Sequence, residues 1–126
     1  MILVDTSVWI DHLRKTDSKL VQLLSKGQVL MHPFIIGELA CGNLHKRQQI
    51  LMLLENLPKA KQASNQEVLY FIENNQLMGY GIGYIDAHLL ASTALTHGAK
   101  ICTYDKRLKS LSNNLGLQYE PHPSSD

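Results

Sequence analysis

The chain has 126 residues and a mass of 14.2 kDa, the size of one domain. Apolar residues make up 44% and charged residues 18%, which permits a buried core and argues against a chain that is disordered throughout. Twelve Lys and Arg stand against eleven Asp and Glu, a net charge of +1, so composition by itself argues against a strongly basic nucleic-acid binder. The sequence holds no run of 18 or more apolar residues, so no membrane-spanning helix is expected. The opening Met1-Ile2-Leu3-Val4-Asp5 has no basic segment before its apolar run, so no signal peptide is expected either. Two cysteines, Cys41 and Cys102, are too few for a disulfide framework or a Cys-rich zinc site. Both lie in apolar stretches, and the expectation is two buried thiols in a reducing, cytoplasmic setting.

Ile2 to Val4 reads as a short buried strand. Thr6 or Ser7 can cap a helix to about Arg14, and Asp17 can cap a second that ends at Gly27. Val29 to Met31 is a second strand candidate. Pro33 then sits at the first turn of a helix over Phe34 to Cys41. His45 to Leu57 is amphipathic and is stopped by Pro58. Ser64-Asn65-Gln66-Glu67 has the form of a capping box, opening a helix through Val68, Leu69, Phe71 and Ile72. Gly79 to Gly83 breaks the chain before a long helix over Tyr84 to His97, closed by Gly98. Ala99 to Tyr104 is a third strand, Asp105 to Asn114 a last helix, and Leu117 to Tyr119 a final strand. Strands separated by helices predict a parallel sheet covered on both faces, with the working site at the carboxyl ends of the strands. The tail 121–126 is polar and proline-broken and is expected to fray.

Most of the acids suit helix starts or solvated faces, but four stand in apolar company. Asp5 is the only charge in residues 1–10, and Glu38 is the only charge from Phe34 to Cys41. Asp86 is the only formal charge from Gly79 to Thr96, and Asp105 ends the apolar run Ile101 to Tyr104. Each alone is readily a helix cap or a locally bonded carboxylate. Together they lack basic partners, because three of the four segments contain no Lys or Arg. Were they to converge, they would raise one another's pKa, and a divalent cation would resolve the conflict. An all-oxygen donor set suits Mg²⁺ or Mn²⁺, and the chemistry implied is phosphodiester cleavage by a metal-activated water.

Those acids and their neighbours resemble the PIN-domain ribonucleases, specifically the VapC-type toxins of bacterial toxin–antitoxin pairs. The matching blocks are Met1-Ile2-Leu3-Val4-Asp5-Thr6-Ser7-Val8-Trp9-Ile10, Pro33-Phe34-Ile35-Ile36-Gly37-Glu38-Leu39, Gly81-Ile82-Gly83-Tyr84-Ile85-Asp86-Ala87-His88-Leu89-Leu90-Ala91 and Thr103-Tyr104-Asp105-Lys106-Arg107-Leu108. The resemblance covers nearly the whole chain, over 1–120. It implies a three-layer α/β/α PIN-like domain with a central parallel sheet. It also implies a Mg²⁺- or Mn²⁺-dependent endoribonuclease, a homodimer, and inhibition by a small VapB-type antitoxin inserted into the active-site groove. By position, Asp5 and Asp86 would be the central metal ligands, with Glu38 and Asp105 completing the pocket. Thr6, Ser7 and Thr103 are candidate donors to the carboxylates. Cys102 and Tyr104 stand where the family often carries Trp and a polar or basic residue.

Other features carry less. Gly79-Tyr80-Gly81-Ile82-Gly83 follows a helix and lacks dinucleotide-fingerprint spacing, so it reads as a hinge or a tight approach to the site. Cys41 and His45 at i, i+4 lack further ligands. His88 reads as a packing residue, and Trp9 as a core anchor. The basic run Lys100 to Lys109 flanks Asp105 and is a candidate for RNA phosphates, with Tyr80, Tyr84 and Tyr104 as candidate stacking residues. Two rivals remain. One is a metal-dependent phosphatase with Asp5 as nucleophile, although Ser7 stands where a second aspartate is wanted. The other is a PIN- or receiver-like binding module without catalysis, although the receiver's acidic pair is missing. With four acids assigned to one pocket, 12 basic residues face 7 others, and the remaining surface is more basic than +1 suggests.

Overall fold

In the computed structural model, which describes residues 1–121, the apolar opening run becomes the central strand of a parallel sheet. β1 (Ile2–Val4) lies between β2 (Val29–Leu30) and β3 (Lys100–Cys102), in the order β2-β1-β3. Ile2 pairs with Val29 and Lys100, Leu3 with Leu30 and Ile101, and Val4 with Cys102. Every β1 side chain is buried, which is why the strand is continuously apolar rather than alternating: helices cover both faces. Isolated parallel bridges, Met31 to Lys59 and Ile101 to Gln118, extend the ladder on either side.

Seven helices among the described residues surround the sheet: α1 (Thr6–Arg14), α2 (Ser18–Ser25), α3 (Pro33–Ala40), α4 (Arg47–Glu55), α5 (Asn65–Asn75), α6 (Tyr84–Leu95) and α7 (Lys106–Asn114). α6 packs on β3 and α5 on α6, while α1 packs on α3 and α3 on α4. The result is a three-layer α/β/α fold. Leu3, Leu20, Met31, Ile35, Leu89, Leu90, Ile101 and Leu108 are fully buried where the layers meet, and Trp9 joins them. Truncating one of these leucines to Ala would cost about 2–5 kcal/mol, from lost burial and the cavity left behind.

Local chemistry sets the helix ends. Asp17 accepts from Leu20 N at 3.1 Å and starts α2, and Pro33 occupies the first turn of α3. The Ser64–Glu67 capping box is complete in both directions. Four expectations are adjusted. α4 begins at Arg47 rather than His45, because Lys46 is left-handed (φ 51°) and the Arg47 guanidinium draws the turn back onto α3 through Ala40 O and Gly42 O. β3 stops at Cys102, because the next backbone donors turn to side chains: Tyr104 N bonds Ser7 Oγ and Asp105 N bonds Thr103 Oγ1. The strand expected over Leu117–Tyr119 is a single bridge, held by Ile101 N to Leu117 O and Tyr119 N to Ile101 O. The cysteines are not both buried: Cys41 caps the end of α3 where the helix leaves the core and is exposed, and Cys102 is only partly covered. Of the tail expected to fray, residues 122–126 lie outside the described residues.

Candidate active site

The site is assembled at the carboxyl ends of β1 and β3. Because Val4 and Cys102 are partners in the ladder, the residues that follow them emerge side by side, and Asp5 N donates to Cys102 O at 2.9 Å. Asp5 is the N-cap of α1 and Asp105 is the N-cap of α7, where its Oδ1 accepts from Leu108 N at 2.9 Å. The capping role is therefore real for Asp5 and Asp105, whereas α3 and α6, which carry Glu38 and Asp86, are capped by His32 and Gly83.

Asp5 is buried, and its carboxylate is held from one side. Ser7 Oγ and Thr103 Oγ1 each donate to Asp5 Oδ2 at 2.8 Å, and Ser7 N approaches the same oxygen at 3.4 Å. A hydroxyl has one proton to give, so both are committed to Asp5. Their lone pairs then receive backbone donors from the opposite loop: Tyr104 N on Ser7 Oγ at 2.9 Å and Asp105 N on Thr103 Oγ1 at 3.0 Å. Two short side chains thus lock the β1–α1 and β3–α7 connections together and fix the Asp5 plane. Asp5 Oδ1 has no protein donor among the described residues.

The other two acids arrive on helices. Glu38 comes from α3, is exposed, and accepts from Thr6 Oγ1 at 2.6 Å. Asp86 comes from the first turn of α6 and is half-buried. Its carboxyl is pushed up to about 6, first by burial, then by the negative charges of Asp5, Asp105 and Glu38, against a backbone donor at Gly83. The three anions named in the sequence are thus the ones that act on the fourth. Burial is less uniform than apolar neighbours suggested, since Glu38 and Asp105 are exposed and only Asp5 is deeply buried.

A hard divalent cation fits this donor set. The donors are carboxylate oxygens, one Asp5 oxygen lacks a protein donor, and charge repulsion at Asp86 is relieved by positive charge. Among the described residues, no group of three His, Cys, Asp or Glu side chains is disposed to hold a metal ion as it stands, so the four carboxylates do not form a closed ligand set. Mg²⁺ asks for less than a closed set: it takes one or two protein carboxylates and fills the rest of its shell with water and phosphate oxygens. Cys41 and His45 gain no further ligand, so the pair carries no metal site among the described residues.

The three candidate stacking tyrosines differ. The Tyr104 hydroxyl donates to Asp17 Oδ2, and the Tyr84 hydroxyl donates to Asn65 Oδ1. Burial and the adjoining Asp17 carboxylate push the Tyr104 phenol up. Burial also pushes Asp17 up, but the Tyr104 hydroxyl, the backbone donors at Leu20 and Lys19 and the Lys19 charge outweigh it and leave Asp17 below its usual value. Tyr80 alone of the three is without a hydroxyl partner among the described residues, and it is 56% exposed. The sequence reading gave Asp17 a capping role only; the Tyr104 contact adds a second that no local pattern signals.

His88 packs as expected, edge-on to Phe34 and Tyr84 at ring-centroid distances of 4.7 and 4.6 Å. His32, which sequence reasoning passed over, is buried beside it at 6.4 Å. The position immediately before Pro33 was the available signal, since an N-cap residue there needs an acceptor side chain: His32 Nδ1 accepts from Phe34 N at 3.0 Å.

The PIN domain family model matches residues 2–114. The chain is 46% identical over 117 residues to Ribonuclease VapC32 of Mycobacterium tuberculosis, in both the CDC 1551 / Oshkosh and the ATCC 25618 / H37Rv strains. The match covers 93% of this chain and 94% of the relative. A parallel sheet that sets acids at its carboxyl edge, a matching family model and this near-full-length identity agree: the chain belongs to the PIN-domain family and is of the VapC type.

Proposed function

We propose that this protein is a toxin of the VapC type, an endoribonuclease that depends on Mg²⁺ or Mn²⁺ and uses Asp5, Glu38, Asp86 and Asp105 as its acidic pocket. The observation that carries the reading is the electrostatic convergence on Asp86 of three carboxylates from three other segments. The similarity to a protein named as a ribonuclease supports the substrate class. Asp5 and Asp86 are assigned as the central ligands, with Glu38 and Asp105 completing the shell. A divalent ion bound there supplies Lewis-acid activation of water and charge neutralisation at the phosphate.

The chain's own residues perform the positioning. Ser7 and Thr103 hold Asp5 by Oδ2, Thr6 holds Glu38, and the α7 cap holds Asp105. Beside Glu38, a cavity of about 340 Å³ whose lining mixes Ile10, Leu13, Leu39 and Leu44 with Arg14, Asn43 and His45 supports docking of an amphipathic antitoxin segment at the edge of the pocket. A VapB-type antitoxin, a homodimer and a cytoplasmic location belong to the same proposal. No helix among the described residues is long and apolar enough to cross a membrane.

The test is cleavage of total RNA by the purified protein. Cleavage is expected with Mg²⁺ or Mn²⁺, lost in EDTA, restored by re-adding either ion, and absent in Asp5→Asn. Cleavage that persists in EDTA, or in a folded Asp5→Asn protein, would overturn the mechanism.

A further inference from the structure

The Gly79–Gly83 break and the basic start of α7 were separate features of the sequence, and the fold brings them together. Arg107 Nη1 donates to Gly81 O at 3.3 Å, its only hydrogen bond among the described residues. The guanidinium lies so close over the turn that a Cβ at position 81 would stand 2.9 Å from Nη1 and 3.2 Å from Cζ. Gly81 also has φ +78°, a backbone conformation that favours glycine, while the nearby arginine tip could shift aside. Next to this contact is a cavity of about 250 Å³ lined by Tyr80, Lys106, Arg107, Ser110, Leu111 and Asn114. Arg107, Ser110, Leu111 and Asn114 are at i, i+3, i+4 and i+7, so one face of α7 supplies most of the wall. Leu111 is buried and forms an apolar floor.

We propose that this cavity, whose wall begins at Lys106 directly after Asp105, is a single-nucleotide subsite of the enzyme, taking one unstacked nucleotide of a single-stranded RNA. The inference rests on the ribonuclease reading above. The parts divide by chemistry. Tyr80 is exposed, and its ring is available to stack on a base. Lys106 and Arg107 supply the charge for a phosphate, and the contact with Gly81 holds the guanidinium fork in place while leaving most of its five N–H donors for the ligand. Ser110 and Asn114 offer the donor and acceptor pairs that read a base edge. The cavity is too small for a duplex, which fits a site that takes splayed single-stranded bases.

The test uses the full-length purified protein, a fluorescein-labelled random-sequence RNA octamer pool and Mg²⁺. Wild-type cleavage is established first; if it is absent, the ribonuclease reading fails rather than the subsite. Given cleavage, Tyr80→Ala is expected to raise KM by roughly tenfold with kcat little changed, the size expected of one lost base–aromatic stack, and Tyr80→Phe to restore KM. Lys106→Ala and Arg107→Ala are each expected to weaken octamer binding and to lower the slope of log affinity against log salt by about 0.7. Asn114→Ala is expected to change which bases flank the cut. Wild-type KM in Tyr80→Ala together with an unchanged salt slope in Arg107→Ala would overturn the subsite. So would variants that bind RNA normally but no longer bind a co-expressed antitoxin, because the cavity would then be a protein contact.

Discussion

Two clusters of buried polar side chains flank the sheet, and they are built in opposite ways. In the first, Asp5, Ser7 and Thr103 satisfy one another, and each hydroxyl both gives its proton and receives a backbone N–H. In the second, His32 and His88 lie side by side, and His32 Nε2 and His88 Nδ1 are buried with no partner among the described residues. Since His32 Nδ1 accepts from Phe34 N, its proton sits on Nε2, the atom left without an acceptor. An unmet buried donor costs about 1–3 kcal/mol, whereas a closed network orients its members. The comparison separates a region built for position from one that gives up stability, and substitutions in the two should fail in different assays.

The largest effect is expected in the closed network. Asp5→Asn keeps an N-cap side chain for α1 and an acceptor for Ser7 and Thr103, so the fold is retained. It removes the charge at the centre of the pocket, and RNA cleavage should fall by at least about 10²–10³-fold. Circular dichroism and thermal melting alongside the cleavage assay check this. Wild-type activity in the folded variant would mean that the network orients nothing of consequence.

The histidine pair should answer to pH rather than to metal. Burial, and then the charge of His88, lower His32 from 6.5 to about 4. A histidine with a depressed folded pKa favours the folded state in its neutral form. Its contribution is fully present above pH 6.5 and is lost as the pH falls towards 4. Over that window the cost is about 3 kcal/mol, and it should appear in urea denaturation measured at stepped pH. His32→Asn keeps an acceptor for Phe34 N and cannot titrate, so its loss of stability on acidification should be smaller than that of wild type over the same range, even if its absolute stability drops. A wild-type slope in His32→Asn would assign the acid sensitivity elsewhere.

The contrast also shows what a sequence discloses. The Ile-Leu-Val run of β1, the Asp17 cap, the Ser64–Glu67 box and the proline at the start of α3 each act within a few residues, so their patterns were readable. Asp5, Glu38, Asp86 and Asp105 stand out as candidates for a different reason: a lone charge in an apolar segment is anomalous wherever the segment ends up. The hydroxyl donors were visible only as candidates. Whether Thr103 meets Asp5 depends on the register that sets Val4 opposite Cys102, and no local pattern encodes a pairing between residues 98 positions apart. The same holds for Tyr104 with Asp17 and for Arg107 over Gly81. Burial was overread at Cys41, Glu38 and Asp105, because the neighbours of a residue near a helix end or loop face the core while the residue itself faces out.

Thr103→Val sharpens the network at near-constant volume. It removes a donor to Asp5 Oδ2 and the acceptor for Asp105 N, leaving Ser7 to hold the carboxylate alone. Activity or Mg²⁺ affinity should fall about 10–100-fold, read as a shift in the Mg²⁺ titration of cleavage. Ser7→Ala should act similarly, and the pair should be non-additive because both hydroxyls serve one oxygen. Strict additivity would indicate that the two donors act independently rather than as a lock.

The smallest effect runs the other way and gains stability. Asp86 is raised to about 6 by burial and then by three neighbouring anions, so its charged form opposes folding. For an acid with a raised folded pKa, that cost is absent below the unfolded value near 4 and fully present above about 6. Because the group is only half-buried, solvent screening reduces it to about 1 kcal/mol. In EDTA at pH 7, Asp86→Asn should therefore melt roughly 4 °C higher than wild type, with the gap closing below pH 4. This acid response opposes that of His32 over the same range, so Asp86→Asn should also steepen the net loss of stability on acidification. Adding Mg²⁺ should raise the melting temperature of wild type more than that of Asp86→Asn, because a ligand that binds only the folded state stabilises it in proportion to affinity. A variant that melts below wild type in EDTA would show that Asp86 is held by favourable contacts rather than strained by the other carboxylates.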